Sequence, residues 1–402
     1  MKFRLTLMLT AALLPGLSLA DTVTDWSRTI LQHQPERTLT EAYDALAQNA
    51  RTAGDTLLGN STLTLNHENG QIAGREGVMN FEAGLTLPLK RLNQGEVYGR
   101  LADSFSQLSQ TQQAYLAWQS RGIARRLLDA VAEKALIARN AHQRLKQAQR
   151  LFSLVESQVS AGAGSKLDLA LARQRLSEAQ ARAAAAEAGL NAARALLKAW
   201  GITLTEQRLT ALLNEQPRAA DLSNLTAIIE RHPRIRHLRA QLKLSSAQAD
   251  KAAWEARPNY ELYLGARRES ADNTPDDTLI VAEISLPLGK SSDLQLSRAG
   301  AALTRRENAA RLAVAKRDLK QALIAAKAEL EQARTGLAPA RAQLAAADEA
   351  LKLSEQAWQQ GELSLRDLLL AQQAQLDAAL NAALAELAVH KAIRNLNQQA
   401  GE

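Results

Sequence analysis

Apolar side chains recur at spacings of three and four over residues 96–160, with Leu101, Phe105, Leu108, Ile123 and Leu127 along one stripe. The stretch holds no proline and only Gly99 and Gly122. This predicts one helix of about 65 residues, about 95 to 100 Å long at 1.5 Å per residue. Residues 292–360 repeat the pattern but carry Pro339, which is expected to kink the helix or mark a change of packing. Return helices are predicted after each, closing helical hairpins over 96–199 and 292–399; in the second, Leu376, Leu380, Leu384 and Leu387 form a seam for a neighbouring helix.

Ahead of each hairpin the period changes from 3.6 to 2. Strand pairs are predicted near 60–67 and 79–89, and again near 258–266 and 278–288. Phe81, Ala83, Leu85, Leu87 and Leu89 share one face, opposite Glu82, Gly84, Thr86 and Pro88. Ile280, Ala282, Ile284, Leu286 and Leu288 likewise oppose Val281, Glu283, Ser285 and Pro287. Apolar on one side and polar on the other suits a barrel with lipid outside and a wet lumen, to which Glu82 and Glu283 would point. Four strands cannot close a barrel, since the smallest natural outer-membrane barrels have eight, so several chains are expected to share one.

The two halves are copies. A constant shift of 199 residues carries Asn60, Leu63 and Leu65 onto Asn259, Leu262 and Leu264, and residues 85–89 onto 284–288. It also carries Gly162, Ser165, Asp168, Leu169, Leu171, Ala172 and Gln174 onto Gly361, Ser364, Asp367, Leu368, Leu370, Ala371 and Gln373. The domain reading is a signal peptide at 1–20, a first repeat at 21–200 and a second at 201–402. In both hairpin turns a glycine can take the left-handed conformation that stops a helix, and Ser165 and Ser364 can cap the next helix, with Asp168 and Asp367 completing an S-x-x-D capping box. The first repeat reaches its strands after a short helix, 39–58, and the second by a fuller approach, 222–257.

Composition narrows the class. Lys2 and Arg4, the apolar run Leu5–Leu14, Pro15-Gly16 and Ser18-Leu19-Ala20 read as a cleaved secretory signal. Without those two cations the formal charge is +5, spread along helices among Glu and Asp, which argues against a nucleic-acid partner. There is no cysteine, hence no lipidation at that residue, no disulfide and no thiolate metal site. Beyond the signal no segment is apolar enough for a membrane helix, so a spanning part would be β.

No catalytic, cofactor-binding or metal site is legible. His33, His67, His142, His232, His237 and His390 are scattered and read as solvated, and His232 and His237 lack a same-face ligand spacing. Residues 161–166, AGAGSK, lack the spacing and the preceding strand of a phosphate loop. Neither HExxH nor GxSxG occurs, so the chain does not read as an enzyme.

The two strand-pair and hairpin repeats with their Gly-x-x-Ser-x-x-Asp-Leu turns, Arg231-His232-Pro233-Arg234-Ile235 opening a helix, ISLPL at 284–288 and QAWQQGELSLRDLLLAQ at 356–372 resemble the TolC-type outer-membrane efflux proteins. That resemblance implies a mainly α fold with a small β part, assembled as a homotrimer with a twelve-stranded β-barrel in outer-membrane lipid and an α-helical periplasmic tunnel. It implies a passive exit duct of a tripartite efflux system, supplied by a periplasmic adaptor and an inner-membrane pump of the RND type. The second-half segment and compact length resemble the cobalt-zinc-cadmium branch, which implies divalent heavy-metal cations as cargo; drug or organic-compound efflux, type I protein secretion and a periplasmic coiled-coil adaptor or scaffold are the alternatives. By the same resemblance Gly162, Ser165, Asp168, Trp358, Gly361, Ser364 and Asp367 belong to the periplasmic tip and its gate, with Asp367 narrowing the entrance. The chain departs from some relatives in having Leu370 where an acid occurs, and Trp358 and Leu363 in place of a gate-locking tyrosine and arginine.

Overall fold

The computed structural model describes residues 19–55, 60–70, 77–162, 164–213, 217–257, 260–271, 274–286 and 292–402. Nearly all of the predicted signal peptide, Asn259 and residues 287–288 lie outside these. In chain order the elements are α1 (Leu19–Gln32), a 3-10 turn (Pro35–Arg37), α2 (Thr38–Asp55), β1 (Thr62–Asn69), β2 (Val78–Pro88), α3 (Gln94–Ser160) and α4 (Lys166–Ala199). They continue with α5 (Glu206–Leu213), α6 (Leu225–Arg231), α7 (Pro233–Glu255), β3 (Glu261–Ala271), β4 (Thr274–Ser285), α8 (Ser292–Gln359) and α9 (Leu365–Gln399). The fold is mainly α with one small sheet. α8 continues through Pro339 as one helix.

Contacts divide the chain into two compact units, each drawing on both halves of the sequence. One comprises residues 1–34, 117–228 and 320–402. Its main core gathers Trp26 and Ile30 of α1, Leu128 and Val131 of α3, Leu190 and Leu197 of α4, Leu209 and Leu212 of α5, and Leu387 of α9. Long helices with alanine-rich faces can pack closely here because Ala124, Ala132, Ala135 and Ala138 present little bulk. A polar seam joins α3 to α9: Arg394 Nε donates to Asp129 Oδ1 at 2.7 Å, Arg125 Nη1 to Gln398 Oε1 at 2.7 Å, and Trp118 Nε1 to the Gln398 carbonyl at 2.8 Å. Burial pushes the Asp129 carboxyl up despite Arg394, and burial together with Arg121 pulls Arg125 down to about 10.

The other unit comprises 35–116 and 229–319. Ala47 and Ala50 of α2, Leu101, Ala102 and Phe105 of α3 and Ala247 of α7 form its helical core. The sheet is an antiparallel meander in the order β1-β2-β3-β4, with β2 and β3 adjacent although they lie far apart in the sequence. Among the described residues β1 and β4 each keep one open edge. Below the strands Arg91 stacks on the Trp254 ring at 3.8 Å, and Tyr98 donates to Glu255 Oε1 at 3.1 Å. Burial and the Glu255 carboxylate push the Tyr98 phenol up to about 12.

The helix expected to open at Arg231–Ile235 does so at Pro233: His232, with ψ 132°, separates α6 from α7. A residue before proline is driven out of the helical region, and the His232 Nδ1 accepts from the Arg234 N–H instead, capping α7. One expectation is corrected: the histidines are not all solvated, because His232 and His237 are 1% and 6% exposed.

Candidate functional site

The two hairpin turns are built alike up to their caps. At the end of α8 Gly361 has φ +79°, its N–H donates to the Trp358 carbonyl at 3.0 Å, and Glu362 N–H donates to the Ala357 carbonyl at 2.9 Å. This pair of bonds is the Schellman closure, which needs a left-handed residue at its centre. At the end of α3 Gly162 has φ +76° and donates to the Val159 carbonyl at 3.0 Å.

The caps then differ. Ser364 Oγ accepts from the Asp367 N–H at 3.2 Å and donates to Asp367 Oδ2 at 2.6 Å. Ser165 Oγ accepts from the Leu167 N–H at 3.1 Å. A reciprocal capping box would have the aspartate accept from the backbone of the serine. In the second turn the carboxylate is held by the serine hydroxyl instead, and in the first the serine reaches N2 rather than the N–H of Asp168. Asp367 is therefore held by its own cap, and among the described residues no such bond reaches Asp168.

One apolar cluster underlies both turns. It joins Leu151 and Val155 of α3, Ala172 of α4 and Leu365, Leu368 and Leu369 of α9, with Trp358 and Leu363 packed on it. Trp358 thus lies in the packing beneath the turns, while Gly162 and Gly361 are open enough that an added Cβ would touch nothing within 4 Å. Leu370, by contrast, is 54% exposed.

On the sheet, Glu82 of β2 and Glu283 of β4 share one face with Thr64, Thr86, Glu261 and Tyr263. Tyr263 pairs in register with Thr86 and Glu283, and its hydroxyl donates to Glu82 Oε1 at 2.5 Å. The opposite face aligns Leu65, Ala83, Ala266 and Ile280, then Leu63, Leu85, Leu264 and Ala282, and Ile280 is 88% exposed. Glu261 and Tyr263 were not singled out from the sequence. Their signal was the alternation with Leu262 and Leu264, which puts odd positions of β3 on the polar face.

Among the described residues, no group of three or more His, Asp or Glu side chains is placed to hold a metal. No protein-family model and no curated protein sequence matches the chain. Solved structures do. The outer membrane protein VceC of Vibrio cholerae aligns over 94% of this chain and 96% of its own, with TM-score 0.70 and 14% identity. The CmeC outer membrane channel of Campylobacter jejuni aligns over 95% and 86%, with TM-score 0.68 and 14% identity. A membrane protein of Pseudomonas aeruginosa aligns over 94% and 93%, with TM-score 0.69 and 18% identity. The likeness at these identities is one of fold, and it shows that this chain carries the TolC-type outer-membrane channel fold.

Proposed function

We propose that the chain is one subunit of a homotrimeric outer-membrane exit duct, fed by a periplasmic adaptor and an inner-membrane pump. The observation that carries this reading is the sheet. Four antiparallel strands with two open edges leave backbone donors and acceptors unpaired, and in lipid that is tolerated only if the edges pair with other copies. The exposed apolar face and the glutamate-bearing opposite face then become the lipid side and the lumen side of a shared barrel. Three chains would supply twelve strands. The duct performs no bond chemistry; the helical hairpins that end at Gly162 and Gly361 form its periplasmic entrance, and it opens when they part.

Divalent metal cations are the proposed cargo. Glu82, Glu261 and Glu283 on the lumen side favour positive ions, as does Asp168, whose carboxylate stands free of the helix cap. Export by a cleaved signal peptide, without lipidation, completes the proposal. The deciding experiment is membrane fractionation followed by mass determination of the detergent-extracted particle. A trimer in the outer-membrane fraction supports the duct, and a soluble monomer overturns it. Growth of a deletion strain under zinc, cobalt and cadmium then separates metal cargo from organic compounds or secreted protein.

A further inference from the structure

In the unit that contains the sheet, α3, α7 and α8 line a half-open cavity of about 540 Å³, inside the range of about 300 to 1,000 Å³ common for small-molecule sites, with Arg234 and Arg311 at its exposed mouth. Its charged lining is of one sign. Arg234 and Arg311 reach it from α7 and α8, and no carboxylate lines it. Neither guanidinium has an ion-pair partner among the described residues. Nearby Glu230 is engaged elsewhere, by Arg239 and Lys316.

A buried donor accompanies the two cations. His237 is 6% exposed and lines the cavity, with its ring parallel to that of Tyr115 at 5.0 Å between centroids. Its Nε2 meets the Gln241 amide nitrogen at 2.8 Å, and its Nδ1 has no hydrogen-bond partner. The amide nitrogen is a donor, so Nε2 accepts and the proton of the neutral ring sits on the unpartnered Nδ1. An unmatched buried donor costs about 1–3 kcal/mol unless an acceptor reaches it. Arg234 also lies in the first turn of α7, where the helix dipole adds positive potential. The rest of the wall is apolar, with Leu238 on α7 and Val314 on α8.

We propose that this cavity binds a small organic anion, a carboxylate or sulfonate on a flat apolar body. The anionic head sits between Arg234 and Arg311, and the body lies over Leu238 and Val314 beside the Tyr115–His237 stack. A small movement of that stack brings the His237 Nδ1–H to the ligand. The site is independent of the conduit reading: it stands on one compact unit and requires neither a barrel nor cargo.

The test is titration calorimetry of the detergent-solubilised full chain with benzoate, and with benzamide as its uncharged isostere. Saturable heat is expected for benzoate alone, weakened at least tenfold by Arg234→Gln with Arg311→Gln and largely kept by Arg234→Lys with Arg311→Lys. Particle mass and melting temperature of each variant establish that it is folded. Absence of saturable heat with benzoate, equal binding of benzamide, or affinity unchanged in the folded glutamine variant each overturns the proposal. The membrane fractionation result is a separate readout, so failure here leaves the duct untouched and the reverse holds too.

Discussion

Tyr263 on β3 lies across Gly84 on β2 so closely that a Cβ at Gly84 would stand 2.3 Å from the tyrosine Cζ. Gly84 pairs with Gly265 in the register, and the ring covers both. An aromatic side chain over glycine restores packing that the strand otherwise lacks, and here it also carries the hydroxyl to Glu82. Gly84→Ala should push the ring aside, break the bond to Glu82 and cost about 1–3 kcal/mol by overpacking. The check is a double-mutant cycle on melting temperature. In a Tyr263→Ala background the same Gly84→Ala change should be close to neutral, and equal losses in both backgrounds would refute the contact.

The two turn glycines should behave oppositely to glycines inside the long helices. Gly162 and Gly361 have open space around them, so their alanine variants should suffer only the left-handed backbone cost, about 1–2 kcal/mol each. Gly300 and Gly336 lie within α8 with nothing within 4 Å of an added Cβ, so alanine there should gain about 0.5–1 kcal/mol. Four thermal or urea melts compare the signs, and a stabilising Gly361→Ala would contradict the geometry of the turn.

The seam between α3 and α9 should be far more sensitive to one substitution than to two. Arg394 is 5% exposed and its counter-charge is Asp129. Asp129→Asn leaves a buried guanidinium beside Arg125 without compensation, for which about 3–5 kcal/mol is expected. Asp129→Leu with Arg394→Met removes both charges and should cost markedly less. Melting temperatures of the single and double variants decide this.

Much of this architecture was legible because periodicity survives in a single sequence. The stripe from Leu101 to Leu127 marked α3, and the alternation from Phe81 to Leu89 marked β2 and its two faces. Gly162 and Gly361 announced left-handed turns because few other residues accept that φ. The short packing helices were harder. α1 buries only Val23, Trp26 and Ile30 in the core and α5 only Leu209 and Leu212, and both adjoin segments with no strong pattern. The division of Asp168 from Asp367 was not legible either. Two serines in the same motif chose different amide partners, and that choice depends on local backbone angles rather than on residue type.

Acid should destabilise the fold in a way that His237 helps to set. Burial holds the His237 imidazole below its ordinary value, and His390 is held down by burial and by Arg394 against the opposing pull of Glu386. Each binds fewer protons folded than unfolded. Their stabilising neutrality is complete above the unfolded value of about 6.5 and is lost as pH falls below it toward the lowered folded value. Melting temperature measured downward from neutral pH should fall less steeply for His237→Gln than for the native chain, and parallel curves would remove His237 as a cause.

Ion selectivity tests the acidic groups where they would act. If Glu82 and Glu283 line a shared lumen, planar bilayers containing the native protein should pass cations in preference to anions, and Glu82→Gln with Glu283→Gln should reduce that preference. A unit charge about 4 Å away in a water-like medium is worth about 1 kcal/mol, which corresponds to a several-fold change in the permeability ratio. The difference should shrink in about 1 M salt, where the screening length falls to about 3 Å, and persist at about 0.1 M. Asp168→Asn should lower the preference more than Asp367→Asn, because Ser364 already engages the Asp367 carboxylate while Asp168 leaves its own uncapped. Equal effects of the two would mean that the hydroxyl does not hold Asp367 away from the permeating ion.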